Sequence, residues 1–151
     1  MAVRRIGRKH PSTRGIPLKR IVRTAEFRAA LRLFQWQSET VSRGWGLTPQ
    51  RYLLLLSIKG APDRSQRLSF SQLVERLRLS ANTVTELVAR AEDAGLVRRE
   101  RAEHDQRVIF LSLTDEGERR LAGALADSDV HRRELASAFD DLVASFDAAQ
   151  R

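Results

Sequence analysis

The stretch from Leu68 to Thr114 constrains the fold of this chain more than any other part. It opens with Leu-Ser-Phe-Ser-Gln-Leu-Val-Glu-Arg-Leu, where the Ser69 hydroxyl can accept from an amide of the first turn while Gln72, three residues on, reaches back to the Ser69 amide. That pairing predicts a short helix ending near Leu77. After the connection Arg78-Leu79, Ser80 caps a second helix whose first two turns carry the small side chains of Ala81, Asn82, Thr83 and Thr85. Leu79, Val84, Leu87, Val88 and Ala91 recur at three- and four-residue steps, so one stripe packs inward and leaves the short polar side chains outside. Gly95 stops the helix. Leu96 to Arg101, a polar tip from Ala102 to Gln106, and Arg107 to Leu113 then read as a β-hairpin. Two short helices about a tight turn, followed by a basic strand, turn and strand, form the layout of a DNA reader whose second helix points into a groove.

More specific than the layout is the ordered set of residues within it. Leu79-Ser80 with Thr83-Val84-Thr85 and Leu87-Val88, Glu92 with Gly95-Leu96-Val97, and Asp105-Gln106-Arg107 running to Leu111-Ser112-Leu113-Thr114 with Gly117 resemble the signature of the MarR family of winged helix-turn-helix regulators, over about residues 20 to 150. The resemblance implies a mainly α (α+β) fold with a helical dimerisation region and a small β-hairpin wing. It also implies a two-fold homodimer in which the terminal helices interleave with the first helix, and a small aromatic or amphipathic effector bound between the dimer helices and the DNA-reading lobe. Two positions depart from the family pattern: many members carry a basic residue at the position of Glu86 and a leucine at that of Ala91.

The rest of the chain supplies the frame. From about Pro17 to Arg43, Ile21, Ala25, Leu31, Phe34 and Val41, with Leu33 and Trp36 nearby, predict a long first helix whose apolar coverage is wider than one monomeric face needs. Gly44-Trp45-Gly46 breaks it, and Thr48-Pro49 restarts a helix with a cap and a first-turn proline that loses no needed amide bond. Gly60 to Asp63 end that helix and open a polar loop through Arg67, after which Leu68 adds a short strand to the hairpin, making a three-stranded sheet. Thr114 caps a helix with Asp115, Glu116 and Glu118 in its first turns and Leu121 and Leu125 on its inner face. A final helix from about Ser128 to Ala149 places Leu135, Phe139, Leu142, Val143 and Phe146 in one stripe, which closes the dimer, with Asp140, Asp141 and Asp147 outside. The division expected is a basic flexible arm at 1–19, a dimerisation region at 20–47 and 115–151, and a DNA-binding lobe at 48–114.

The net charge of +8 is entirely local. Arg4, Arg5, Arg8, Lys9, Arg14, Lys19, Arg20 and Arg23 lie in residues 1 to 23 with no acid among them, while the 19 remaining basic and 19 acidic residues cancel. Two readings follow: an arm that follows the phosphate backbone or enters a minor groove, or a solvated tail. At 151 residues and 42% hydrophobic content the chain fits one domain with a thin core. With no cysteine, it has no disulfide, thiolate metal site or thiol switch. The longest apolar run, Tyr52 to Ser57, is too short for a bilayer and the amino end lacks a signal-peptide core, so a cytoplasmic protein with no membrane partner is expected.

Residue roles follow from groove chemistry. Ala81, Asn82, Thr83 and Thr85 let the second helix approach the groove floor, where Asn82 can pair with an adenine edge and a methyl can touch thymine. Ser80, the helix amino end and Arg90 suit phosphate. Glu86 has three readings: an acceptor for a cytosine amino group, a repeller of the backbone that sharpens selection, or a surface partner of Arg90 four residues along. In the wing, Arg107 suits a narrow A·T minor groove, with a structural salt bridge to Asp105 as the rival, and the resemblance implies that Asp105 holds that arginine in place. Arg99 and Arg101 share a strand face while Arg98 lies on the other, merely solvated. For an effector, Phe27, Phe34, Trp36, Trp45 and Tyr52 lie in the right segments, of which Phe34, Trp45 and Tyr52 are the pocket candidates. Each also has an ordinary core reading, Trp45 as a plug at the helix break.

Catalysis finds no residues to carry it. His10, His104 and His131 fall in the tail, the wing tip and a helix surface, with no H-x-x-x-H pair, no phosphate loop and no nucleophile elbow, so no catalytic, metal or cofactor site is expected. The function expected is a sequence-specific transcriptional regulator, a repressor that binds a pseudo-palindromic operator in double-stranded DNA as a homodimer and leaves it on binding a small-molecule effector. The alternatives are a nonspecific architectural DNA binder driven by the arm, or a protein-interaction module on the same fold.

Overall fold

A computed structural model of the chain describes residues 12–105 and 107–147, with side chains on the last helix through Ser145. The expectations for Arg4, Arg5, Arg8, Lys9, His10 and Gln106, for the side chains of Phe146 and Asp147, and for the chain beyond lie outside these residues.

Among the described residues there are six α-helices and one three-stranded sheet. Helix α1 spans Leu18–Gly44, preceded by a single 3-10 turn at Thr13–Gly15 that Ser12 caps by accepting the Arg14 amide at 3.3 Å. The arm expected at 1–19 therefore ends sooner. Pro17 has no N–H to leave unpaired, and its carbonyl takes the first helical bonds from Arg20 and Ile21, which draws Leu18 and Lys19 into α1. At the far end Gly46, at φ +69°, lets the Leu47 amide reach back to the Ser42 carbonyl at 2.9 Å and closes the helix. Thr48 then caps α2, Pro49–Lys59, by accepting the Arg51 amide at 3.2 Å.

The segment from Leu68 to Leu113, with α2 the central lobe of the molecule, follows the local chemistry of its sequence. Strand β1, Leu68–Ser69, leads into α3, Phe70–Leu77, whose reciprocal Ser69–Gln72 capping box is formed in both directions. Arg78 turns the chain in the left-handed region at φ 54°, where a non-glycine residue costs roughly 1–2 kcal/mol, and the turn is closed by its amide on the Val74 carbonyl. Helix α4, Ala81–Asp93, ends at Gly95, φ +68°, with the Leu96 amide on the Ala91 carbonyl. Strands β2, Val97–Arg101, and β3, Ile109–Leu113, pair antiparallel with Val97 opposite Leu113 and Arg101 opposite Ile109, and β1 joins the far side of β3 with Leu68 opposite Leu111. The sheet order is β1-β3-β2. Helices α5, Asp115–Asp127, capped by Thr114, and α6, Asp129–Asp147, complete the chain.

One core serves the lobe. Leu54, Leu55 and Ile58 of α2, Leu73 of α3, Val84, Val88 and Ala91 of α4, and Leu96, Leu111 and Leu121 are each no more than 2% exposed. Helix α6 runs along α1, where Phe27 and Phe139 meet edge to face at 5.9 Å. Trp45 fixes the end of α1 on α5: its indole N–H donates to Asp127 at 2.8 Å, and its ring fills the space a side chain on Gly123 would need.

Candidate nucleic-acid interface

Because Val84, Leu87, Val88 and Ala91 are buried on the core, the rest of α4 is turned outward, and Ser80, Ala81, Asn82, Thr83, Thr85, Glu86 and Arg90 are all exposed. The first turn is held rigid: Ser80 accepts the Thr83 amide at 3.2 Å, its hydroxyl meets the Thr83 hydroxyl at 2.8 Å, and the Thr85 hydroxyl donates to the Ala81 carbonyl at 2.9 Å. These bonds engage the hydroxyls of Ser80, Thr83 and Thr85. The Asn82 amide makes no hydrogen bond among the described residues, so both its donor and its acceptor are open to a base edge. Glu86 and Arg90 pair across one turn at 3.5 Å, both about 70% exposed. Arg51 of α2 donates to the Arg90 carbonyl at 3.4 Å and adds a cation near the end of this face.

On the wing the arginines divide by partner. Arg99 Nε donates to Glu92 of α4 at 2.8 Å, which holds its guanidinium above the ordinary pKa and ties β2 to the reading helix. Arg98 is not merely solvated as expected: it donates to Glu100 at 2.9 Å and to Ser112 at 3.2 Å. The reason is register, since Ser112 stands opposite Arg98 and donates in turn to Glu100 at 2.6 Å, lowering that carboxyl's pKa. Arg67 stacks over Phe110 at 4.5 Å beside them. Arg101 and Arg107 are exposed and make no ion pair among the described residues. Asp105 grips Arg107 through its main chain, accepting the Arg107 amide at 3.0 Å. That is a correction to a salt bridge between the two side chains: a carboxylate two residues before an amide closes an Asx turn at the tip and leaves the guanidinium clear.

A cleft of about 420 Å³ opens between α1 and α2, lined by residues including Leu31, Phe34, Ser38, Glu39, Tyr52 and Leu53. It brings Phe34 and Tyr52 together. Trp45 does not join them, because its ring is committed to Gly123 and Asp127 on α5. Burial pushes the Tyr52 phenol above its ordinary pKa, opposed by Arg132 of α6. The buried His131 Nδ1 has no hydrogen bond, its nearest carboxylate being Glu134 at 3.6 Å. Among the described residues no group of three acids or histidines is placed to hold a metal, and no helix is long and apolar enough to cross a membrane.

Sequence reasoning missed Glu92, Glu100 and Arg67. Glu92 and Arg67 act through a partner on another element, and Glu100 through Arg98 of its own strand and Ser112 of the next; the roles come from pairings that the sequence pattern does not spell out.

Comparison with known proteins agrees with this geometry. A family model described as MarR family matches residues 45–108. The transcriptional regulator HosA of Escherichia coli is 34% identical over 113 residues, covering 72% of this chain and 78% of HosA. The HTH-type transcriptional repressor MdtR of Bacillus subtilis is 36% identical over 81 residues, which span 54% of this chain and only half of MdtR. Among solved structures, Sco3205, a MarR family transcriptional regulator from Streptomyces coelicolor in complex with DNA, superposes with a TM-score of 0.60 at 26% identity, covering 76% of this chain and 72% of that one. With its sequence signature, capped reading helix and three-stranded wing in place, the chain belongs to the MarR family of transcriptional regulators.

Proposed function

We propose that this protein is a homodimeric repressor that binds a pseudo-palindromic operator and leaves it when a small molecule enters the cleft between α1 and α2. The observation that carries the reading is the outward face of α4, a rigid, capped first turn with the Asn82 amide upon it, together with the exposed wing guanidiniums of Arg101 and Arg107; none of the three has a side-chain partner among the described residues. Asn82 reads a base edge, the α4 amino end with Ser80 and Arg90 positions phosphate, and Arg107 with Arg101 enters the minor groove. Arg99 and Asp105 serve this arrangement by holding the wing. The lobe at 48–114 reads DNA, and the segments at 20–47 and 115–151 dimerise. Exposed Leu33 and Trp36 on α1 and Phe139 and Val143 on α6 favour that assignment, and a two-fold reader needs its helices about 34 Å apart. Phe34 and Tyr52 line the effector cleft, while Trp45 acts from outside it as a strut. Relatives that are regulators support a non-catalytic role.

The test is binding to duplexes from the gene's own upstream region against a scrambled duplex of equal composition at near-physiological salt. A preference of about 10³ or more is expected. Equal affinities that collapse together as salt rises would replace this function with nonspecific binding driven by the basic amino-terminal segment, and no binding at any salt would point to a protein partner.

A further inference from the structure

The outward face of α4 is not uniformly suited to an anion. At about 100° per residue, the direction opposite the buried stripe of Val84, Leu87, Val88 and Ala91 is occupied by Asn82, Glu86, Ala89 and Asp93. Glu86 thus stands at the centre of the face, one turn after Asn82, and not on a flank where it could avoid a groove. Among the described residues its only partner is Arg90, and an exposed pair at 3.5 Å across one turn is weak enough for a phosphate to displace. On a duplex Arg90 can swing to the backbone, leaving the carboxylate facing base edges.

A carboxylate only accepts hydrogen bonds. In the major groove guanine and thymine present acceptors that repel it, adenine sets its amino donor beside an N7 acceptor, and cytosine alone offers an amino group without an adjacent acceptor of its own. We propose that Glu86 is a specificity determinant that accepts a hydrogen bond from a cytosine amino group in each half-site and disfavours the other bases there. This rests on the DNA-reading function proposed above. One helical turn is about 5.4 Å and one base-pair step about 3.4 Å, so the cytosine lies one to two base pairs from the base read by Asn82.

The experiment is selection from a randomised duplex pool by the full-length protein and three variants, with circular dichroism to establish that each is folded. Wild type enriches a cytosine at one position of each half-site. Glu86→Ala loses that preference alone, its discrimination there falling roughly five- to a hundredfold. Glu86→Gln moves the preference toward adenine, because an amide can accept from N6 while donating to N7. Arg90→Gln weakens binding to all sequences alike and lowers the salt slope by about one contact while keeping the cytosine. Two results overturn the proposal with the function intact: Glu86→Ala enriching the wild-type sequence unchanged, or binding every duplex more tightly by one common factor, which would make Glu86 a repeller only. A wild type that enriches no sequence overturns the DNA-reading function itself and the proposal with it.

Discussion

The reading lobe and the pair of long helices use their apolar residues in opposite ways. In the lobe, side chains such as Leu55, Ile58, Leu73, Val84 and Leu96 are at most 1% exposed, so most of its apolar surface is consumed within one chain, with Leu53 and Ile109 left at its surface. Helix α1 runs for 27 residues and buries only Ser42, while Trp36 stands 63% exposed, and on α6 Phe139 is 51% exposed. A helix pair that leaves large side chains open and buries almost none is short of a neighbour, whereas the lobe closes a dense core of its own. The lobe therefore draws its stability from its own packing. The helices draw theirs from their packing along each other, the anchor at Trp45 and the partner subunit proposed above.

Substitutions should separate the two regions. Leu73→Ala, in a fully buried site, should cost roughly 2–5 kcal/mol by urea denaturation, independent of protein concentration. A loss under about 1 kcal/mol would contradict the placing of Leu73 in the single core that serves the lobe. Gly123→Ala puts a methyl 2.3 Å from the Trp45 ring and should cost about 1–3 kcal/mol, with a change in tryptophan fluorescence as the indole shifts. Unaltered fluorescence would contradict the anchor. Phe139→Ser removes an edge-to-face partner of Phe27, at about 1 kcal/mol within the chain, yet should make the melting temperature strongly concentration-dependent as subunits part. Concentration-independent melting in both proteins would break the contrast between the regions.

The smallest expected effect lies on α5, which joins them. Hydrogen bonds from Arg119 and Arg120 hold the Glu116 carboxyl down to about 2 from its ordinary 4.5, and Arg120 also donates to the Gly46 carbonyl at the end of α1. A depressed carboxyl stabilises the fold above its unfolded pKa, and that contribution is lost as pH falls through about 2. Glu116→Gln should flatten the fall of the urea midpoint between pH 5 and 2, and parallel curves would show the pairing to be without consequence.

What could be read from the sequence was local. The Ser69–Gln72 box, the Ser80 and Thr48 caps, the stop at Gly95 and the three-stranded sheet all depend on residues a few positions apart or on strand pattern, and they formed as expected. So did the exposure of the α4 candidates, which the buried stripe dictates. Contacts between elements were not legible: Trp45 to Asp127 spans 82 residues and Lys59 to Glu118 spans 59, and nothing in either segment names the other. Arg99 and Arg107 were both wing candidates in sequence, but only the fold carries Glu92 to the first and leaves the second without an ion pair among the described residues.

The junction between α4 and α5 has a mechanical consequence. The Thr114 amide donates to the Leu96 carbonyl at 3.0 Å, its hydroxyl to the Gly95 carbonyl at 2.5 Å, and Gly117 lies so close to Leu96 that a methyl there would come within 2.1 Å of the carbonyl oxygen. The carboxyl end of the reading helix is thus welded to the start of α5, while Asn82 lies at the free end of a rod of 13 residues, about 20 Å long. A tilt of about 10° at the weld would sweep that tip by about 3.5 Å at right angles to the rod, so a small rotation of α5 would be geared up into a large displacement of Asn82 across the groove proposed for it.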